Sequence, residues 1–349
     1  MTVYVAVDFH AREQTISYCD LADGEIHRRQ LRHQHDDVRG FYEQFSGEVI
    51  VALEASGYSA WFEQMLAELG HTVWLGNPAE IRRKAPRRQK NDRRDADLML
   101  DLLLREDFPR VHGFSEESRM VLRQLRYRHK LVKVRTIAKN SLHAIGINAG
   151  LPLKRRLLTE KGIAQLQALL LSPVLTQQRD EWLELIGSMN ERIATVEAQL
   201  QQRAKDDAAI ALLQTHPGIG LLTSLALRYT LLPTARFGTT RQVTAYVGLD
   251  CMEDQSAERR RMGSISKAGS KLLRFLLNEA GHTAARHDPE LKTFYRRLLH
   301  RRDKPKAKVA VDRKLLVRSF IMLRDQIDYA EFVRRGVAAR VARETHSLP

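Results

Sequence analysis

Cysteine is scarce: two in 349 residues, Cys19 and Cys251, far apart and without a CxxC pair. That argues against a disulfide framework and a structural zinc site, and it fits a reducing cytoplasm. Long apolar runs are also missing. The opening MTVYVAVDFHARE lacks the charged-then-apolar layout of a signal peptide, and its apolar run is too short to span a bilayer, so a soluble intracellular protein without a membrane partner is expected. No repeat of solenoid period is present. Acidic residues are the charge in deficit: 42 Asp+Glu against 57 Lys+Arg leave +15 and a pI near 10.0. Nucleic acid is therefore the leading partner class. A hydrophobic content of 43% suffices for the cores of two or three modest domains.

What is present changes character twice. From Thr2 to about Asn77 the pattern is α/β. TVYVAVDF alternates, with Val3, Val5 and Val7 on one face; QTISYCD and EIHRRQL follow, and EVIVALEAS reads as a buried central strand. Helical stretches around DVRGFYEQF and SAWFEQMLAELG, the latter ended by Gly70, and a strand TVWLGN complete a ribonuclease-H-like order. From about Ala79 the chain reads almost wholly helical. SRMVLRQLRYRHKLVKVRTIAKNSLHAIGINAG is a long helix carrying Arg123, Arg126, Arg128, Lys130, Lys133, Arg135 and Lys139. Trp182, Ile186, Met189, Ile193, Val196 and Leu200 form a seam that suits a coiled coil or an antiparallel helical hairpin equally. A third region opens with LLQTHPGIGLLTSLAL, in which HPGIG reads as a helix-hairpin-helix loop or a plain Pro-Gly turn. Near the end, RRDKPKAKVAVDRKLLVRSF either touches nucleic acid or presents a solvated face over a core helix.

Carboxylates stand where so basic a chain would least favour them. Asp8 ends the first strand, Glu54 ends EVIVALE, and Asp92 and Asp95 fall in KNDRRDADLML, just after IRRKAPRRQ. Singly, each has an ordinary explanation: strand ends are solvated, and Asp at a helix start caps backbone N–H groups. As a set they say more. Asp92 and Asp95 share a helical face, and with Asp8 and Glu54 they supply four hard oxygen-ligand groups for Mg²⁺ or Mn²⁺. Two such ions about 4 Å apart activate the attacking oxygen and stabilise the leaving oxygen of a phosphodiester. Bound metal inverts the effective sign of the carboxylates, and the flanking arginines hold the DNA backbone. On the helical count Asp97 points elsewhere; it and Asp101 are left out of the set.

With Asp8 in VAVDFH, Glu54 in VALEASGYS, and Asp92 and Asp95 in KNDRRDADLM, the chain resembles the DEDD transposase family of bacterial insertion sequences, relatives of the Piv DNA invertases. LLQTHPGIGLLTSLAL and FGTTRQVTAYVGLDCMEDQSAERRRMGSISKAGSKLLRFLL resemble that family's second domain, so the likeness covers nearly the whole chain. It implies an α/β RuvC-like (ribonuclease-H-like) N-terminal domain over 1–112 and a basic helix with a coiled-coil or helical linker over 113–206. A mostly α-helical C-terminal transposase domain over 207–336 and a loosely ordered tail over 337–349 follow. It further implies a serine that attacks the DNA phosphodiester to form a phosphoserine link. Donor and target DNA would be chosen by a structured noncoding bridge RNA. The assembly would be a dimer or tetramer, in the bacterial cytoplasm and nucleoid-associated, in which one subunit's serine completes another's metal site.

The serine that matches is Ser256. Here Ala257 replaces the glycine usual after it, and Cys251 and its neighbours replace a proline common after the GL. Ser264 and Ser266, in MGSISKAG, look more like backbone or phosphate contacts. No histidine lies near Ser256 in sequence, so activation of the hydroxyl falls to the metal site, while Arg259, Arg260 and Arg261 grip the flanking phosphates. The basic helix and IRRKAPRRQ are the expected RNA-binding segments. Their lack of interleaved aromatics, Tyr127 apart, argues against single-strand stacking as their main mode. The long helical segment would hold the two parts of one chain apart and offer its apolar seam to a partner. Two other classes share these residues. A Holliday-junction resolvase or DEDD exonuclease needs only Asp8, Glu54, Asp92 and Asp95 and leaves no protein–DNA adduct; an idle nucleic-acid-binding protein would use the carboxylates as caps and be indifferent to metal.

Overall fold

The computed structural model describes residues 2–85, 92–151, 156–256 and 259–346, without the side chains of residues 35, 92–93, 253–256, 259–262 and 339–346. The chain divides into two compact units, 1–113 and 114–349.

The first unit runs β1 (Thr2–Phe9), β2 (Glu13–Asp20), β3 (Ile26–Arg32), α1 (His35–Glu43), β4 (Glu48–Glu54), α2 (Ala60–Glu68), β5 (Thr72–Gly76), α3 (Pro78–Lys84), α4 (Asp92–Leu104) and β6 (Arg110–Val111). The strands form a six-stranded sheet in the order β3-β2-β1-β4-β5-β6. β1 pairs antiparallel with β2 and parallel with β4, and β4 pairs parallel with β5. The α/β order expected up to Asn77 is therefore present, element by element. Alternation in β1 creates two layers. Val3, Val5 and Val7 pack with Val49, Val51 and Leu53 of β4 and with Phe62, Met65 and Leu66 of α2. Ala6 and Ala52 face the other way, into a cluster with Met99, Leu100 and Leu103 of α4. β4 is buried on both faces, which is why its sequence is a continuous apolar run. Each fully buried Val or Leu here contributes roughly 1.5–3 kcal/mol.

The second unit is α5 (Glu116–Asn148), α6 (Glu160–Gln167), α7 (Pro173–Ala204), α8 (Ala208–Gln214), α9 (Leu221–Leu231), α10 (Thr240–Val247), β7 (Cys251–Ser256), β8 (Arg259–Ile265), α11 (Lys271–His287), α12 (Pro289–Leu299), α13 (Lys304–Asp325) and α14 (Tyr329–His346). α5 and α7 run antiparallel. Gln124 meets Gln199 at 2.9 Å, Arg128 meets Glu197 at 2.8 Å and Arg135 meets Asn190 at 2.8 Å. Met189, Ile193, Val196 and Leu200 pack with Val121, Leu122, Leu125 and Leu131, while Ile186 packs with Ala138 and Leu142. The seam is thus an antiparallel hairpin closed within the chain. The expectation that it serves a partner is corrected, since Ile186 to Leu200 along it are at most 8% exposed.

The same core continues through α8 to α13, so the segments 113–206 and 207–336 share one hydrophobic cluster. α13 buries Ala307, Val311, Leu315, Leu316 and Phe320 and also Arg318, while Lys304, Lys306 and Arg324 are exposed, so it is a core helix whose basic residues are only partly solvated. α14 runs on through Gly336 to His346. The reading of everything after Ala79 as almost wholly helical needs two corrections, the short strand β6 and a hairpin in the second unit. β7 and β8 form an antiparallel hairpin. CMEDQS and RRRMGSI are mostly polar and charged, and their apolar residues Cys251, Met252, Met262 and Ile265 do not alternate, so they lack the pattern that signals a half-buried strand.

Candidate active site

β1 and β4 lie parallel with Val7 opposite Leu53, so the next residues, Asp8 and Glu54, end neighbouring strands. Both continue the face occupied by Ala6 and Ala52, the face that α4 covers. The Asp8 side chain is 14% exposed, and its Oδ2 lies 3.2 Å from His10 Nε2. His10 was missed in the sequence. The signal was the short Asp-x-His spacing at a strand end, where the turn closed by His10 N–H on Glu13 O (3.0 Å) keeps the ring beside Asp8.

α4 begins at Asp92, whose side chain lies outside the described residues. Asp95 is half-buried, immediately before the fully buried Ala96. Asp97 is engaged elsewhere: it accepts from Ser17 Oγ at 2.6 Å and from Arg28 Nε at 2.9 Å, and so anchors α4 to β2 and β3. Asp101 pairs with Arg105 at 2.8 Å. Among the described residues, no group of three or more His, Cys, Asp or Glu side chains is placed to hold a metal ion. The structure thus brings together the Asp8 and Glu54 strand ends under α4, and among the described side chains it does not assemble the set of four.

Ser256 closes β7, with Arg259 opposite it, Arg260 opposite Gln255 and Arg261 opposite Asp254. The three arginines therefore run back along the strand that ends in the candidate serine. Ala257 lies outside the described residues. The base of the hairpin is interlocked. Gly248 and Gly269 have φ of 75° and 66°, and a Cβ on either would come within 2.2 Å of a carbonyl oxygen, Ala268 O or Tyr246 O respectively. Only glycine meets both demands. Ser266 Oγ donates to the Asp250 carboxylate, and Arg274 Nη1 donates to Val247 O at 2.9 Å. Ser266 is therefore an internal tie, whereas Ser264 is exposed.

The basic residues of α5 sort by face. Arg123, Arg126, Lys130 and Lys133 are exposed at spacings of three and four, and so form one stripe. Arg128 and Arg135 turn towards α7, and burial followed by the nearby Arg135 lowers the Lys139 pKa. Of IRRKAPRRQ, Arg82 and Arg83 are exposed on α3, Lys84 pairs with Asp107, and residues 86–89 lie outside the described residues. In HPGIG, burial lowers the His216 pKa to about 4, so its ring is neutral at pH 7. Its Nε2 sits 3.5 Å from Arg318, which donates to Asp288 at 2.6 Å and to Glu290 at 2.5 Å. Tyr329 donates to the same Asp288 at 2.6 Å. This buried cluster ties the loop before α9 to α12, α13 and α14.

Known proteins match in the same places. Residues 5–145 match a DEDD transposase family model, and residues 210–296 match one described as Transposase IS116/IS110/IS902 family. The first span holds Asp8, Glu54, Asp92 and Asp95; the second holds Ser256. A probable family 20 transposase from Pseudomonas aeruginosa is 31% identical over 268 residues, covering 74% of this chain and 77% of its own. The transposase for insertion sequence element IS1111A from Coxiella burnetii is 26% identical over 272 residues, 76% and 74% of the two chains. That for IS1328 from Yersinia enterocolitica is 28% identical over 229 residues, 65% and 68%. Among the described residues no helix is long and apolar enough to cross a membrane. Matched at this identity over three quarters of its length, the chain belongs to the IS116/IS110/IS902 family of insertion-sequence transposases.

Proposed function

We propose that this transposase cuts and rejoins DNA through a RuvC-like carboxylate edge and the hydroxyl of Ser256, directed by a structured bridge RNA. The observation that carries the reading is the pair of strand-end carboxylates, Asp8 and Glu54, on adjacent parallel strands beneath α4. These residues and Asp95, half-buried on α4, offer hard oxygen donors, which fit Mg²⁺ or Mn²⁺ rather than a softer ion. Asp8, Glu54, Asp92 and Asp95 would hold the metal, which when bound supplies electrostatic stabilisation of charge on the phosphate oxygens.

The protein's own part is then positional. Ser256 Oγ attacks the scissile phosphorus, one deoxyribose oxygen leaves, and the serine proton ends on that oxygen. The resulting phosphoserine conserves the phosphodiester bond, so a second strand's hydroxyl rejoins DNA by the reverse step. Arg259, Arg260 and Arg261 neutralise the flanking phosphates, and the exposed α5 stripe is the surface for guide RNA. Carboxylates and serine belong to different units, so in this reading an oligomer formed on DNA brings the serine of one copy to the carboxylates of another.

The test uses DNA bearing the element's ends together with its noncoding RNA. Asp8→Ala and Ser256→Ala should each abolish strand exchange, and only chains with an intact serine should form a denaturation-resistant protein–DNA adduct. Mixed assemblies of the two inactive variants should recover part of the exchange. Full activity in Ser256→Ala would leave a carboxylate nuclease without an adduct; indifference to Asp8→Ala and to chelation would remove the metal edge altogether.

A further inference from the structure

We propose that the loop after β4 carries a stacking site for an unpaired nucleobase of the DNA strand that enters the Asp8 and Glu54 edge. The inference rests on the reading that this edge works on DNA, and it adds the form of the substrate: a base out of the helical stack. Tyr58 is 75% exposed, whereas no other large aromatic among the described residues exceeds 45%. One exposed ring needs no explanation by itself; an exposed ring on a held backbone, close in sequence to further aromatics, marks a contact surface.

Here the backbone is fixed. Ala55 N–H donates to Gly76 O at 3.0 Å, extending the β4–β5 ladder past Glu54. Ser59 is fully buried with its Oγ 2.7 Å from Glu63 Oε1, and Tyr58 N–H donates to Ser56 Oγ at 3.4 Å.

A further aromatic cluster begins three residues on in the chain. Trp61, 36% exposed on the first turn of α2, lies 5.1 Å from the His33 ring and 5.9 Å from Phe9, centroid to centroid. His33 stacks on Phe9 at 4.7 Å, and burial lowers its pKa, which keeps that ring neutral. Phe9 directly follows Asp8. The end of β1 therefore turns a carboxylate to one face of the sheet and an aromatic cluster to the other. Cations border the cluster: His33 N–H donates to Arg12 O at 2.8 Å, and the side chains of Arg12 and Arg32 are exposed. Aromatic faces next to arginines suit a base with its phosphate, and stacking tolerates any base. A paired duplex hides the faces of its bases, so the occupant is an unpaired or flipped nucleotide.

The experiment uses the full chain and a 20-nucleotide oligo-dT strand containing one 2-aminopurine. The wild type should quench the probe on binding. Tyr58→Ala should weaken binding about tenfold and abolish the quench, within the range that one stacked base contributes. Tyr58→Phe should keep both, and the fully paired duplex should bind Tyr58→Ala nearly as tightly as the wild type. Equal affinity and quenching by Tyr58→Ala, or equal damage from Tyr58→Phe, would overturn the stacking site. A loss confined to the same sequence made in RNA would overturn the DNA assignment. Binding is read without cleavage, so failure of the metal-edge reading, seen as Asp8→Ala still cutting DNA, is scored separately.

Discussion

Replacing Asp312 with asparagine should stabilise the second unit at pH 8. Asp312 sits mid-way along α13, 3% exposed, and its Oδ2 accepts from Asn278 Nδ2 at 2.8 Å. Its other oxygen presses on α11, where a Cβ on Gly281 would lie 2.3 Å from Oδ1. Burial raises the carboxyl pKa from 3.8 to about 7, tempered by Asn278 and by the nearby Lys308. In the unfolded chain the group is ionised above 3.8, while in the folded chain it keeps its proton up to about 7. Between these values the folded state binds more protons, so stability falls as pH rises, and the full cost is present above pH 7. At about 1.4 kcal/mol per pH unit, that gap amounts to about 4 kcal/mol. Asparagine keeps the acceptor for Asn278 and cannot ionise. Urea titration followed by hydrogen-exchange mass spectrometry of α11 and α13 peptides reads this unit apart from the sheet. The variant should gain about 2–4 kcal/mol at pH 8, shrinking to about 1 kcal/mol at pH 4.5. A difference that does not vary with pH, or a variant weaker at pH 8, would refute the reasoning.

Arg318→Met should cost about 3–5 kcal/mol, because it leaves the Asp288 carboxylate buried without its cation; urea midpoints of the same α13 peptides check it. Arg126→Glu with Lys130→Glu, on the exposed stripe of α5, should lower nucleic-acid affinity and flatten its dependence on salt, measured by fluorescence anisotropy from 50 to about 300 mM. Arg128→Ala should instead loosen α5 from α7, visible as faster amide exchange there with little change in the salt slope. Gly248→Ala should release the base of the β7–β8 hairpin, since both its φ and the Ala268 carbonyl forbid a side chain; protease nicking between residues 249 and 266 should accelerate several-fold.

What the sequence revealed follows from which side chains meet water. Val3, Val5 and Val7 alternate because β1 has two different faces, so the strand and the position of Asp8 at its end were legible together. Glu54 was legible for the same reason. The seam from Ile186 to Leu200 was plain, but a periodic apolar stripe does not name its partner, and that partner proved to be α5 of the same chain. The β7–β8 hairpin was hidden because its mostly polar sequence carries no apolar alternation. Arg318, Asp288 and His216 were hidden in the opposite sense: residues that usually face solvent are almost fully buried here, and their bonds to one another and to Glu290 and Tyr329 explain it. His10 fell between the two: its Asp-x-His spacing was visible, but the turn that holds the ring against Asp8 shows only in the fold.

The closed pairing of α5 with α7 has a consequence for how copies of this protein meet. With that seam filled, the apolar stripe from Ile186 to Leu200 is not open to a second copy in free solution. Each copy also carries a surplus of fifteen positive charges and so pushes its neighbours away. A polyanion reverses that repulsion, acting as the glue between bodies that otherwise avoid one another. Encounters among copies would then be rarer in open solution than along a nucleic acid.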